Sequence, residues 1–267
     1  MQTFELVNKA FSHQSFVFDD YESGNVILKW MRSVTRLHLL RHLNAGDKIL
    51  ELNSGTGLDA VFLAEKGYRV HCIDIAEGML NKLDEKIKIK ELQEKISFQE
   101  LSFTNLNNLE EKSFDYIFSN FGGLNCAENL SSVFSQFSEI LKPGGKVTLI
   151  IIPPICPWEI ALAFKGNLKT AFRRFHKKGI EANVEGIKFQ TYYYTVSDAQ
   201  KALGNQFKLI ELQGLASFSP PPYMENFPKK FPVFYRYLKR LDNRLSHNFP
   251  FNRCADHFIL TAEYNPQ

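Results

Sequence analysis

At 267 residues, 44% of them hydrophobic and 23% charged, the chain can bury a large core, which excludes a disordered or low-complexity polypeptide. A net charge of +3 is too small to imply nucleic acid as a partner. The four cysteines, Cys72, Cys126, Cys156 and Cys254, stand far apart without Cys-x-x-Cys spacing, so neither a disulfide framework nor a metal site is expected. Met1 to Ala10 carry Glu5 and Lys9 and no long apolar run. Neither a secretory leader nor a spanning helix is expected, and a reducing, cytoplasmic setting is the default.

Residues 1–24 mix Phe4, Phe11, Phe16, Phe18 and Tyr21 with polar side chains and read as a short helix and a loop. From Asn25 to Leu43, apolar residues recur at three- and four-residue spacing, the pattern of an amphipathic helix. Lys48 to Leu52 reads as a strand, Gly57 to Lys66 as a helix stopped by Gly67, and Tyr68 to Ile73 as a second strand closed by Asp74. A helix over Glu77 to Leu92 follows, then strands over Ile96 to Glu100 and Phe114 to Ser119, and a helix over Ser131 to Leu141. Lys142-Pro143-Gly144-Gly145 is a tight turn before a nearly all-apolar strand, Lys146 to Ile152. Apolar strands alternating with helices imply a parallel sheet covered on both faces.

Beyond Ile152 the rhythm breaks. Pro153, Pro154 and Pro157 stop the strand; Trp158 to Lys178 has a helical pattern ended by Gly179. Ile187 to Thr195 reads as a strand, and Ser197-Asp198-Ala199-Gln200 as a capped helix start. Phe207 to Leu212 is a further strand, an irregular segment with Pro220-Pro221-Pro222 follows, and His257 to Glu263 is the last strand.

The chemistry is expected where the first strand runs out, at Asn53-Ser54-Gly55-Thr56-Gly57. Ligands of open parallel sheets sit at the carboxyl ends of the strands, and small residues there let the backbone turn sharply and approach a ligand. Asp74 closes the second strand at the offset from which a carboxylate reaches both ribose hydroxyls, although it could instead cap the next helix. Glu51 lies inside the first strand just before the turn. A carboxylate there would repel a pyrophosphate and attract an ammonium group, and the position of a third fingerprint glycine holds Ala60.

Ile49-Leu50-Glu51-Leu52-Asn53-Ser54-Gly55-Thr56-Gly57 resembles the first motif of the class I S-adenosylmethionine-dependent methyltransferases, in the flavour that acts on quinones, lipids and natural products. Val70 to Ile75, Phe114 to Asn120 and Leu141 to Val147 resemble that family's second, fourth and fifth strand segments, so the resemblance covers roughly residues 45–152. It implies a doubly wound α/β fold, with a seven-stranded mostly parallel sheet whose last strand is antiparallel, helices on both faces and a lid inserted after strand five. The implied division is a helical cap over 1–44, a cofactor core over 45–152, a lid over 153–205, and C-terminal strands with a basic aromatic insertion over 206–267.

Carried over residue by residue, the resemblance places Glu51, Asn53, Ser54, Gly55, Thr56 and Gly57 against the methionine part of S-adenosylmethionine and Asp74 on its ribose. Ile75, Met79, Leu101 and Ser102 would line the adenine, Asn120 and Phe121 the sulfonium, and Tyr21 would close over the cofactor. Two positions depart from the pattern: Asn53 stands where the family has glycine, and Ser102 where it often has an acid. Asparagine tolerates a left-handed backbone, so the turn can survive.

For the acceptor, Asn125 and Cys126 sit where substrate should arrive. His13 and His176 are candidates for a general base, and Tyr192, Tyr193 and Tyr194 for a pocket wall, against packing roles for each. In Trp158 to Lys178, Phe164, Leu168, Phe172 and Phe175 share a helical stripe with Lys165, Lys169, Arg173, Arg174, Lys177 and Lys178 largely elsewhere. Such a helix either binds a membrane surface or roofs the substrate pocket; its place after the fifth strand favours the roof. Pro228 to Arg253 is likewise basic and aromatic, which suits an anionic interface or a solvated face with packed aromatics. The expected activity is methyl transfer to a small apolar or aromatic acceptor. Loss of turnover with retained cofactor binding is the alternative, and a nicotinamide-dependent oxidoreductase, disfavoured by Glu51, a third.

Overall fold

The computed structural model describes residues 2–176 and 178–266. Two helices, α1 (Gln2–Gly24) and α2 (Val26–His42), precede β1 (Lys48–Leu52), α3 (Leu58–Glu65), β2 (Arg69–Asp74), α4 (Glu77–Ile89), β3 (Ile96–Glu100) and β4 (Phe114–Ser119). Then come α5 (Leu130–Phe134), α6 (Phe137–Ile140) and β5 (Leu141–Ile151). The segment after β5 holds α7 (Pro157–Ala161), α8 (Leu168–Phe172) and the hairpin β6 (Ile180–Val184) and β7 (Ile187–Thr191). The chain finishes with α9 (Val196–Leu203), β8 (Phe207–Leu215), α10 (Phe227–Lys230), α11 (Pro232–Leu245) and β9 (His257–Tyr264).

Seven strands form one sheet in the order β3-β2-β1-β4-β5-β9-β8. β1 to β5 pair in parallel, while β9 runs antiparallel to both β5 and β8. Alternate side chains of a strand point to opposite faces, and here both faces are buried. Leu50, Leu52, Ile117, Val147 and Leu260 pack with α5, α6 and α9 on one side. Ile49, Val70, Tyr116, Ile150 and Ile259 pack with α2, α3, α4 and α11 on the other. The doubly wound, last-strand-antiparallel architecture expected from the motifs is the one the chain adopts.

A buried chain of polar side chains crosses the second face. Tyr116 Oη meets Thr148 Oγ1 at 2.5 Å, Thr148 meets Thr261 at 2.6 Å, Thr261 meets His38 Nε2 at 2.8 Å, and His38 Nδ1 meets Gln213 Oε1 at 3.0 Å. Burial depresses the His38 pKa to about 4, so the ring is neutral and serves as a hydrogen-bonding bridge. It ties α2 to strands 175 and 223 residues away.

Four local expectations change. Residues 2–24 form one continuous helix, because Val7 and Ala10 are buried on one side of it and tertiary contact replaces the expected loop. The helix expected over 131–141 is two short ones. The turn at 142–145 is a bulge within β5, since Leu141 pairs with Phe114 before Lys146 pairs with Tyr116. The long helix expected over 158–178 is broken by Gly166, at a φ of +77°, and by Asn167, which caps α8 by accepting from Thr170 N.

Candidate functional site

The first strand ends in a turn that needs its sequence. Asn53, Gly55 and Gly57 have φ of +47°, +56° and +75°. Gly57 is favoured by its left-handed backbone, and a Cβ there would also stand 2.2 Å from Leu83 Cδ1, forcing that side chain to shift. Asn53, where the motif this turn resembles has glycine, makes contacts of its own. Its Oδ1 accepts from Ser119 Oγ at 2.6 Å and its Nδ2 donates to the Asn120 carbonyl at 3.0 Å, stitching the end of β1 to the end of β4. Room for it comes from Gly123, where a Cβ would lie 2.3 Å from Asn53 Cγ.

Asp74 meets this turn from β2. One carboxylate oxygen accepts from Gly55 N at 2.8 Å and the other from Ala76 N at 2.9 Å, so it orders the turn and the start of α4 together. Each oxygen keeps a second lone pair, the capacity a ribose diol would use. Burial raises the Asp74 pKa, and the backbone amides partly offset it.

Glu51 is the unsatisfied acid of this region. It is buried, and among the described residues its Oε2 has no hydrogen-bond partner. Burial pushes its carboxyl well above the usual range, and the carboxylate of Asp59 adds to the shift against Arg32 and Arg36. Asp59 behaves oppositely. Burial would raise it, but Arg32 and Arg36 hold it below the normal value. Arg36 Nε reaches Asp59 at 2.7 Å, Asn120 Nδ2 donates to Asp59 at 2.6 Å, Arg32 pairs with Asp59, and Arg32 also binds Glu22 at 2.9 Å. An ammonium or other cationic group is the ligand chemistry that would satisfy the free oxygen of Glu51.

These residues open on a cleft of about 170 Å³ at the carboxyl ends of the strands. Of the residues expected to hold a cofactor, Glu51, Asn53, Ser54, Gly55, Asp74, Ile75, Met79, Leu101, Asn120 and Phe121 line it together. Thr56, Gly57, Ser102 and Tyr21 do not. Thr56 turns away to donate to Asp19 Oδ1 at 2.6 Å, Gly57 packs on Leu83, and Ser102 Oγ is paired with Thr104 at 2.7 Å. Tyr21 is half exposed and receives Asn25 Nδ2 at 3.4 Å, outside the cleft.

The aromatic cover comes instead from Phe11 and Phe18 of α1, with Val7. Phe11 packs on Phe189 of β7 with ring centroids 5.7 Å apart. α1 is clasped down by Asp19, which binds Thr56 and Lys86, and by close approach to Gly78, where a Cβ would stand 2.7 Å from the Ser12 carbonyl. The sequence signal was present: Val7, Phe11 and Phe18 lie four and seven residues apart, one face of a helix.

On the acceptor side, Gly122, Gly123 and Cys126 line the cleft beside Phe121, whose ring carries the Arg32 guanidinium at 4.7 Å. Burial pushes the Cys126 thiol up to about 12, so it stays neutral. Asn125 is consumed by the backbone: it accepts from Ile152 N at 2.9 Å and donates to the carbonyls of Ile152 and Tyr192. His13 and His176 are absent from the lining, as are Tyr192, Tyr193 and Tyr194. Tyr194 Oη donates to the Ala127 carbonyl, and Tyr193 stacks on Arg174 at 5.7 Å.

Arg174 anchors the segment after β5. It binds Glu159 Oε1 and Asp256 Oδ1, both at 2.7 Å, and Arg173 also binds Glu159. Despite burial, His257 and Arg174 hold Asp256 well below the usual range, and Arg173 and Arg174 do the same for Glu159. Cys156, Glu159 and Asp256 are close together, but the two carboxylates are already matched by guanidinium groups. The apolar stripe of the segment does not roof the cleft: Phe164, Leu168, Phe172 and Phe175 are exposed and none lines it.

Residues 49–145 match the family described as a methyltransferase domain. The demethylmenaquinone methyltransferase of Leptospira interrogans is 26% identical over 146 residues, covering 52% of this chain and 57% of that protein. That of Bacteroides fragilis is 34% identical over 105 residues, covering 39% and 42%. The matches thus span about half the length of these curated relatives. Among solved structures, Haemonchus contortus phosphoethanolamine N-methyltransferase 2 in complex with S-adenosyl-L-methionine superposes with a TM-score of 0.59 at 18% identity, covering 96% of this chain and 57% of that one.

Proposed function

We propose, on the premise that residues 49–145 belong to the methyltransferase domain family of the class I, Rossmann-like, S-adenosylmethionine-dependent kind, that this chain transfers a methyl group to a small apolar or aromatic acceptor. The observation that carries the reading is Glu51. A buried carboxyl with an unpartnered oxygen, raised in pKa by burial and by Asp59, is placed to receive the ammonium of an amino-acid-bearing cofactor. A nicotinamide dinucleotide would bring a pyrophosphate to the same place, against that carboxylate.

S-adenosylmethionine, when bound, supplies a methyl carbon already activated by a sulfonium leaving group. The protein is left with positioning and the exclusion of water. Asp74 would hold the ribose with its remaining lone pairs and Glu51 the ammonium. Ile75, Met79 and Leu101 give the adenine an apolar bed, while Phe11 and Phe18 keep water from that side. Phe121, Gly122, Gly123 and Cys126 form the wall an acceptor would meet. That wall is apolar and its thiol stays neutral, which suits an aromatic or lipid-like molecule of the quinone or natural-product type over a charged one.

Calorimetric titration with S-adenosylmethionine, S-adenosylhomocysteine and NAD tests the cofactor. Binding of the first two is expected, and binding of NAD alone would overturn the reading. Radiolabelled methyl transfer into an extract's small-molecule fraction tests the turnover. Cofactor binding without transfer would leave a binding protein in place of an enzyme.

A further inference from the structure

The segment after β5 and the segment before β9 meet outside the cleft. Trp158 of α7 stands edge-on to Phe227 of α10, with ring centroids 5.2 Å apart, and Phe227 in turn touches Phe231 at 5.2 Å and Phe234 at 6.1 Å. On the two segments that meet here, large apolar side chains face outward. Phe164 is 94% exposed, Val233 75%, Leu168 59% and Phe234 50%. Single exposed hydrophobics are ordinary, but a cluster of this kind from two neighbouring insertions marks an interaction surface.

The exposed charges of residues 157–172 and 227–245 are basic. Lys165, Lys169, Lys229 and Lys230 are exposed, and among the described residues none has an ion-pair partner. Within residues 158–175 the acid is Glu159, buried and held by Arg173 and Arg174, and within residues 227–245 it is Asp242, buried and accepting from the Ser217, Phe218 and Ser219 amides. Glu225, two residues before α10, is an exposed acid. What faces out is therefore apolar rings set among unpaired ammonium groups. Apolar side chains entering the acyl boundary with lysines at the headgroup level is the arrangement by which peripheral proteins hold anionic membranes. No helix among the described residues is long and apolar enough to cross a membrane, so the contact would be at the surface.

We propose that the face built by Phe164, Leu168, Val233 and Phe234 with Lys165, Lys169, Lys229 and Lys230 rests on an anionic lipid bilayer. Charge complementarity selects this occupant over a second copy of the chain, whose identical lysines would meet across a two-fold contact. The inference does not rest on methyl transfer, and its test needs no acceptor.

The full chain is sedimented with vesicles of phosphatidylglycerol and with vesicles of phosphatidylcholine. Binding to the first and much weaker binding to the second is expected. Each lysine near such a surface carries about 1 kcal/mol, so Lys229→Gln with Lys230→Gln should weaken binding on the order of tenfold or more. Phe164→Ser with Phe234→Ser should remove most of the remaining affinity. Cofactor titration on both variants confirms that they are folded. No binding by the unaltered chain, equal binding to both vesicle types, or variants that bind unchanged would each overturn the proposal. So would a dimer in size-exclusion chromatography that the Phe164→Ser, Phe234→Ser variant converts to monomer, which would assign the face to a second copy.

Discussion

Two buried clusters of acids and arginines are balanced differently. In the segment after β5, Glu159 and Asp256 face Arg173 and Arg174, one guanidinium for each carboxylate, and both acids are held below their ordinary pKa. At the end of β1, Arg32 and Arg36 face three acids, Glu22, Asp59 and Glu51. The arginines go to Glu22 and Asp59, and Glu51 is left with a raised pKa and a bare oxygen. A closed ledger of charge makes a latch; a deficit of one cation in a cleft leaves a carboxyl that a cationic ligand would satisfy. Composition does not distinguish them, because what matters is which acid the arginines leave over.

The difference can be tested most severely at the latch. Arg174→Met leaves Asp256 and Glu159 buried with one cation fewer, and breaking a buried ion pair from one side costs about 3–5 kcal/mol. Urea unfolding should show a loss of that size, and a loss under about 1 kcal/mol would mean the pair is not structural. In the cleft, Asp74→Ala removes the anchor of the Gly55 turn and, on the proposed function, the charge-assisted hydrogen bonds to the ribose. Calorimetry should show cofactor binding weakened by roughly 1–3 kcal/mol, and unchanged affinity would place the ribose elsewhere.

Glu51→Gln has the smallest expected effect and the sharpest sign. The variant should bind S-adenosylmethionine roughly tenfold more weakly, about 1.4 kcal/mol, yet melt no lower than the parent, since it removes a buried acid with no dedicated partner. The folded-state pKa of Glu51 lies above its unfolded value, so the folded protein holds this proton where the unfolded chain has lost it. Its contribution to stability is full below the unfolded carboxylate pKa and is lost as pH rises from there through the folded value. Cofactor affinity should move the other way across that window, rising with pH, because an ammonium favours the ionised carboxylate. Proton release on binding, read from calorimetry in buffers of different ionisation enthalpy, checks this. A pH-independent affinity that Glu51→Gln leaves unchanged would refute the assignment.

Much of this was legible because β1, β2, β4 and β5 carry near-continuous apolar runs with punctuation that only tight turns require. Glu51 stood out for the same reason, as an acid in an apolar strand. Asn53 could be called tolerable from its backbone preference, but not why; the space for it is made by Gly123, 70 residues on, and only the fold brings them together. Tyr21 lies three residues beyond Phe18 and outside the cleft; a short helix and a loop over residues 1–24 do not disclose the single helical face that carries Val7, Phe11 and Phe18 to it. The stripe of Phe164, Leu168, Phe172 and Phe175 implied one long helix over the pocket. Gly166 in a left-handed conformation breaks that helix, and the stripe points outward.

The neutral His38 carries a consequence for how the molecule is made. It bridges Gln213 and Thr261, so α2 finds its buried hydrogen-bond partners only after the strands near the other end of the sequence have been synthesised. At about 5–20 residues per second on the ribosome, roughly 10–45 s separate the two. During that interval the apolar face of α2, with Ile27, Met31 and Leu39, can pack on β1, β2 and β4 but not yet on Leu215 of β8 or Ile259 of β9. The nascent chain at this stage is a natural client for chaperones, and fragments ending before β8 should be far more prone to aggregate than the whole.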